Sequence, residues 1–165
     1  MLPERYLKLS SFFKATGFRL DLTSLRLRIV LQKKVYFAQA FGIGLGYDFG
    51  WHVFGPYSTE LTKDAYGLLG LESRIEPAQN NDMPAQIRQL NNFFDEAKAL
   101  GSGENESYWL ELLSSLHFLN ANAAPNIATK AECIAKIKLM KPGKFSDEHI
   151  ELAWGLLAKY NLVSG

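Results

Sequence analysis

Between Leu31 and Asp64 the hydrophobic period switches from helical to alternating and back to helical, and any fold of this chain has to accommodate that switch. Leu31 to Gln39 reads as an amphipathic helix. Gly42-Ile43-Gly44-Leu45-Gly46 forms a turn. From Tyr47 to Phe54, the residues Tyr47, Phe49, Trp51 and Val53 alternate with Asp48, Gly50, His52 and Phe54. Period two with aromatic and β-branched residues predicts a strand with one buried face. Gly55-Pro56 then breaks that strand, because proline fixes φ and lacks a donor. Ser58 caps a second helix, with Glu60 in its first turn at the positive end of the dipole and Leu61, Ala65, Leu68 and Leu69 as its apolar face.

The rest of the chain reads as helices. Leu2, Tyr6, Leu9 and Phe13 predict one from about Pro3 to Thr16, stopped at Gly17. A second runs from about Thr23 to Phe41, with Asp21 or Thr23 as cap. Its stripe of Leu27, Leu31, Val35 and Ala38, with Ile29, Tyr36 and Phe37 alongside, is broad enough to place it at the centre. Ser73 to Glu76 offers a short partner strand, and Pro77 to Asp82 is the best linker candidate. A helix follows from Asp82 or Pro84, carrying Ile87, Leu90, Phe94 and Ala97. The next starts near Glu104 and carries Trp109, Leu112, Leu113, Leu116 and Leu119, before a polar loop over Asn120 to Asn126. Thr129 and Glu132 form a capping box; Ser146 caps the last helix, with Phe145 and Ile150 as a hydrophobic staple. The expected fold is mainly α, of the α+β kind: about six helices, a small two- or three-stranded β element, and C-terminal helices in a helix-turn-helix-like trihelical unit. Residues 1–103 form the N-terminal core and 104–165 the trihelical unit, packed together as one compact domain.

A chain of 165 residues fits such a domain without staples. Its single cysteine, Cys133, excludes an intrachain disulfide and reads as a small buried apolar residue. The N-terminus lacks the pattern of a signal peptide, and no apolar stretch reaches the length of a membrane span. The expectation is a cytoplasmic protein with no membrane contact. The net charge of +1 hides an asymmetry: up to Gln39 there are eight basic residues against Glu4 and Asp21, a local +6, which leaves −5 for the remainder. Solvated faces and internal complementarity account for such a pattern; a basic binding surface is the sharper reading.

No set of residues announces chemistry. The glycine-rich turn follows a helix and opens a strand, the reverse of a dinucleotide loop, and lacks the Lys-Ser/Thr ending of a phosphate loop. His52, His117 and His149 have no ligand partner at metal spacing, so neither a metal nor a cofactor is expected. His117 lies among core leucines. No carboxylates are marked as a pair, no catalytic residue is assigned, and an enzyme of some unknown class ranks last among the readings.

A DNA-binding regulator is the alternative reading, with Arg26, Arg28, Lys33, Lys34, Lys138, Lys141 and Lys144 as its nucleic-acid contacts. Against it, the last helix would lead into the groove with Asp147, Glu148 and Glu151, which phosphate repels.

Leu31-Gln32-Lys33 with Tyr36 and Gln39, followed by Gly46-Tyr47 and Phe54-Gly55-Pro56-Tyr57-Ser58-x-Glu60-Leu61, resembles the YwgA-like family and, more distantly, the Panacea or SocA-like antitoxin domain. There a helix with a Leu-Gln-Lys-x-x-Tyr-x-x-Gln core precedes a strand ending in Tyr-Gly-Pro; here Phe54 stands in place of that tyrosine. The match covers about a fifth of the chain, and Lys141 to Ser146 is similar to the YwgA-like ending. The resemblance implies a helical domain with a small β element, no assigned enzymatic activity, and a protein partner, such as a toxin or the client of a protease adaptor. The leading expectation is therefore a non-enzymatic protein-binding module, antitoxin-like or regulatory, of mobile-element or phage-defence type. Its contact surface is expected around Gln32, Tyr36, Trp51, His52, Pro56 and Tyr57, because aromatics beside a rigid turn make good interface anchors. The oligomeric state is left open.

Overall fold

The computed structural model describes residues 2–71, 84–122 and 128–164. Among them are seven helices and one two-stranded antiparallel sheet. In chain order these are α1 (Glu4–Thr16), α2 (Leu25–Ala40), β1 (Gly50–His52), β2 (Gly55–Tyr57), α3 (Thr59–Leu68), α4 (Pro84–Ala99), α5 (Glu106–Ala121), α6 (Lys130–Met140) and α7 (Asp147–Lys159). The fold is mainly α with a small two-stranded β element, as expected.

Local chemistry starts most of the helices where the sequence marks them. Ser58, Thr129 and Ser146 each accept a backbone N–H of the first turn, and Thr129 and Glu132 complete the capping box. α2 is the exception. Ser24 accepts from the Leu27 N–H and is the cap, while Asp21 accepts from the N–H and hydroxyl of Thr23 and shapes the turn before the helix.

α2 and α5 pack against each other at the centre, and the hairpin β1–β2 lies across both. α4 packs on α2, α5 and α7; α6 and α7 flank α5, joined to each other by Lys130–Glu151 and Lys138–Asp147 ion pairs of 2.6 Å. α5 is buried nearly all round. Trp109, Leu110, Leu112, Leu113 and Leu116 are at most 1% exposed, and each contributes roughly 1.5–3 kcal/mol by leaving water. One continuous core runs from α1 to α7, with Phe37 against Phe93 at 4.8 Å between ring centres.

The β element departs from expectation in three ways. The alternation begins earlier, with Ile43, Leu45 and Tyr47 buried, so the glycine-rich turn already carries core residues. The paired strand is shorter: the N–H and C=O of Tyr47 both bond to the side-chain amide of Gln39, so a helix side chain replaces a neighbouring strand there. Finally, Gly55-Pro56 forms the returning strand, with Gly50 opposite Tyr57, Trp51 opposite Pro56 and His52 opposite Gly55. Proline is tolerated because each strand of a two-stranded ladder is an edge. Val53 and Phe54 are therefore the hairpin tip, and Val53 is 79% exposed rather than on a buried face. The anticipated strand at Ser73 to Glu76 and the linker at Pro77 to Asp82 lie outside the described residues, as does most of the loop before α6.

Candidate functional site

Three polar residues of α2, Gln32, Lys33 and Gln39, point at the hairpin and the segments flanking it, and Tyr36 points at α5. The Gln32 amide donates to the Ser58 carbonyl at 3.0 Å and to the Thr62 hydroxyl at 2.9 Å, and accepts from the Ser58 N–H at 2.8 Å. Lys33 donates to the Pro56 carbonyl at 2.5 Å. The Tyr36 hydroxyl meets Nδ1 of His117 on α5 at 2.5 Å. Burial lowers the His117 imidazole to about 4, so the ring is neutral near pH 7, and burial pushes the Tyr36 phenol up, so it keeps its proton; the tautomer of the ring sets which of the two donates. Gln39 holds Tyr47, and the Tyr47 hydroxyl donates to Asp64, which also pairs with Arg5 at 2.5 Å.

From the other side the hairpin is held by lysines around a buried carboxylate. Lys141 donates to the carbonyl of Val53 at 2.7 Å and lies 3.4 Å from Glu111. Lys144 approaches Glu111 at 2.6 Å and stands 5.0 Å over the Phe54 ring. Gly55 sits between these two supports with φ +89°. A Cβ there would come within 2.5 Å of the Ser115 hydroxyl and 3.6 Å of the Lys33 ammonium. The interior thus holds Lys33, Glu111 and Lys141, with cations in excess. Burial lowers the Lys33 amine to about 7; Glu111 opposes the shift, and Lys141 and Lys144 add to it. Burial likewise lowers Lys141.

Beside this assembly, α2, α3 and the hairpin border an open-sided cavity of about 290 Å³. Its apolar wall includes Leu25, Ile29, Val53 and Tyr66, and Arg28, Gln32, Lys33 and His52 are among its polar lining.

The expected contact residues divide by exposure. Gln32 is 2% and Tyr36 8% exposed, and Pro56 is buried; they reach a partner only through the hairpin they hold. Trp51 is half-buried between Phe118 and Lys141, Tyr57 is half-buried with its hydroxyl on Thr62, and His52 is exposed against the Tyr57 ring. Val53, Leu139 and Met140 are exposed apolar residues outside the expected set. Alternation assigns Val53 to the buried face of a strand, so the sequence does not mark it as a contact residue.

The basic residues of the nucleic-acid alternative do not form one free stripe. Lys33 and Lys141 are interior. Lys34 pairs with Glu106 and lies over Phe94, Lys138 pairs with Asp147, and Lys144 pairs with Glu111. Arg28 donates to the Leu22 carbonyl, and Arg26 is exposed. The first turn of α7 is acidic, with His149 bonded to the Tyr108 hydroxyl. Among the described residues no cluster of three metal-ligating side chains occurs, and no helix is long and apolar enough to cross a membrane. Glu111 interrupts an apolar run of α5 and was the one sequence signal for a buried charge cluster. Compared with family models, curated proteins and solved structures, the chain has no match.

Proposed function

We propose that this chain is a non-enzymatic protein-binding module, antitoxin-like or regulatory as the resemblance implies, and that it grips its partner with the β1–β2 tip and the end of α6. The observation that carries this reading is the exposure of Val53, at 79%, on a turn whose backbone is pinned through its own carbonyl to Lys141. A large apolar side chain held rigidly in water loses little conformational freedom when a partner covers it, which favours its use as an anchor. Leu139, 80% exposed, and Met140, 45% exposed, immediately precede Lys141 in the chain and add exposed apolar area on α6. Exposed Lys136 on the same helix suits a partner whose apolar depression has an acidic rim. Trp51, His52 and Tyr57 form the flank of this surface, and Gln32, Tyr36 and Pro56 position it.

The test is co-purification with the product of the neighbouring gene. The parent chain is expected to retain it, and Val53→Asp and Leu139→Asp to lose it while melting like the parent. Retention by both variants would refute the assigned surface.

A further inference from the structure

We propose that the cavity between α2, α3 and the hairpin binds a small amphipathic carboxylate, its tail against Leu25, Ile29, Val53 and Tyr66 and its carboxylate at the Lys33 ammonium. The cavity shares Val53 and His52 with the proposed partner surface but does not rest on that reading, because its test uses the free chain with no partner. The cavity, at about 290 Å³, stands at the small end of ligand pockets, which run from roughly 300 to 1,000 Å³. That is room for a small molecule, not for a protein segment. No Asp or Glu lines it, while Arg28 and Lys33 both do, so its field favours an anion.

Lys33 is the residue that points to a ligand. It is 1% exposed, and among the described residues no carboxylate lies within ion-pairing distance of it. Glu111, the buried acid of this region, is engaged by Lys141 and Lys144. An ammonium has three donors, and the one acceptor found for Lys33 among the described residues is the Pro56 carbonyl. The neighbouring Gln32 amide is committed to Ser58 and Thr62. A buried cation without a counter-charge is costly, and an anion in the adjoining cavity would supply both the charge and the missing acceptors. Apolar walls with one charged group to fix orientation are the usual composition of a small-ligand site. Because burial holds the free amine at about 7, carboxylate binding would draw a proton onto Lys33 in mildly alkaline solution.

The experiment compares hexanoate with hexan-1-ol, which has the same tail and no charge, by methyl NMR on the full chain. Hexanoate is expected to shift the methyl groups of Leu25, Ile29 and Val53 and to bind about tenfold tighter than hexanol or better. Lys33→Met is expected to abolish that preference while keeping hexanol binding. Calorimetry in two buffers of unlike ionisation enthalpy, near about pH 8, is expected to show proton uptake with hexanoate alone. Equal affinity for the two probes would reduce the cavity to an apolar hole and overturn the proposal. So would hexanoate binding unchanged by Lys33→Met, or no shift from either probe at millimolar concentration. The comparison of probes on the parent chain needs no variant, so it decides the matter even if Lys33→Met folds poorly.

Discussion

The side-chain amide of Gln32 pairs with both backbone groups of Ser58, accepting from its N–H at 2.8 Å and donating to its carbonyl at 3.0 Å. A helix side chain thereby plays the part of an adjacent strand at the point where β2 passes into α3. The carbonyl of Ser58 has a second donor in the Thr62 N–H, but its own N–H has only Gln32 among the described residues. Gln32→Leu therefore orphans one buried donor. It is expected to lower stability by about 1–3 kcal/mol in urea denaturation and to speed amide exchange at Ser58. Unchanged exchange at that amide would show that the pairing contributes nothing.

Gly55 is constrained twice over, by a left-handed φ of +89° and by the Ser115 hydroxyl 2.5 Å from where a Cβ would stand. Gly55→Ala is expected to cost about 1–2 kcal/mol for the backbone alone, and more for displacing Ser115. The Ser115 hydroxyl is buried with no hydrogen-bond partner among the described residues, so Ser115→Ala is expected to be neutral or stabilising. In Ser115→Ala the added cost of Gly55→Ala should fall toward the backbone part. A double-mutant cycle measures that coupling, and additivity would contradict the close approach.

Lys33 links stability to pH. Its amine is lowered by burial to about 7 in the folded chain, against 10.5 as the ordinary value. Between these two values the unfolded chain binds more protons than the folded one, so this group makes stability rise with pH across that window. Below about 7 both states are protonated and the full burial penalty is felt. Lys33→Met, which keeps the stem and removes the charge, is expected to stabilise the chain most near pH 6. Its advantage should shrink as pH approaches 10.5. Urea midpoints across this range check it; a constant difference would show that Lys33 does not titrate from a buried position.

Much of the fold was legible because its signals are local. Thr129 and Glu132, Ser58, Ser146 and the Phe145–Ile150 staple mark helix starts within a few residues, and the broad stripe of α2 put it at the centre. The hairpin was half legible. Period two revealed the extended segment but not where it turns back, so Val53 was assigned inward and Gly55-Pro56 read as an end instead of a return. The polar motif of α2 was visible as a pattern, but its direction was not, because the apolar surface of α2 is broad enough to hide which polar residues point inside. The cluster under the hairpin was least legible. Lys33 meets Pro56 across 23 positions, Lys141 meets Glu111 across 30 and Val53 across 88, and no local signal encodes such partners.

Whether the hairpin tip grips a partner protein is read from the dissociation constant for the neighbouring gene's product with the parent chain and with Val53→Asp. With thermal midpoints matched, Val53→Asp is expected to weaken binding by on the order of tenfold or more, as for a buried apolar anchor replaced by a charge. An affinity within about twofold of the parent would contradict it.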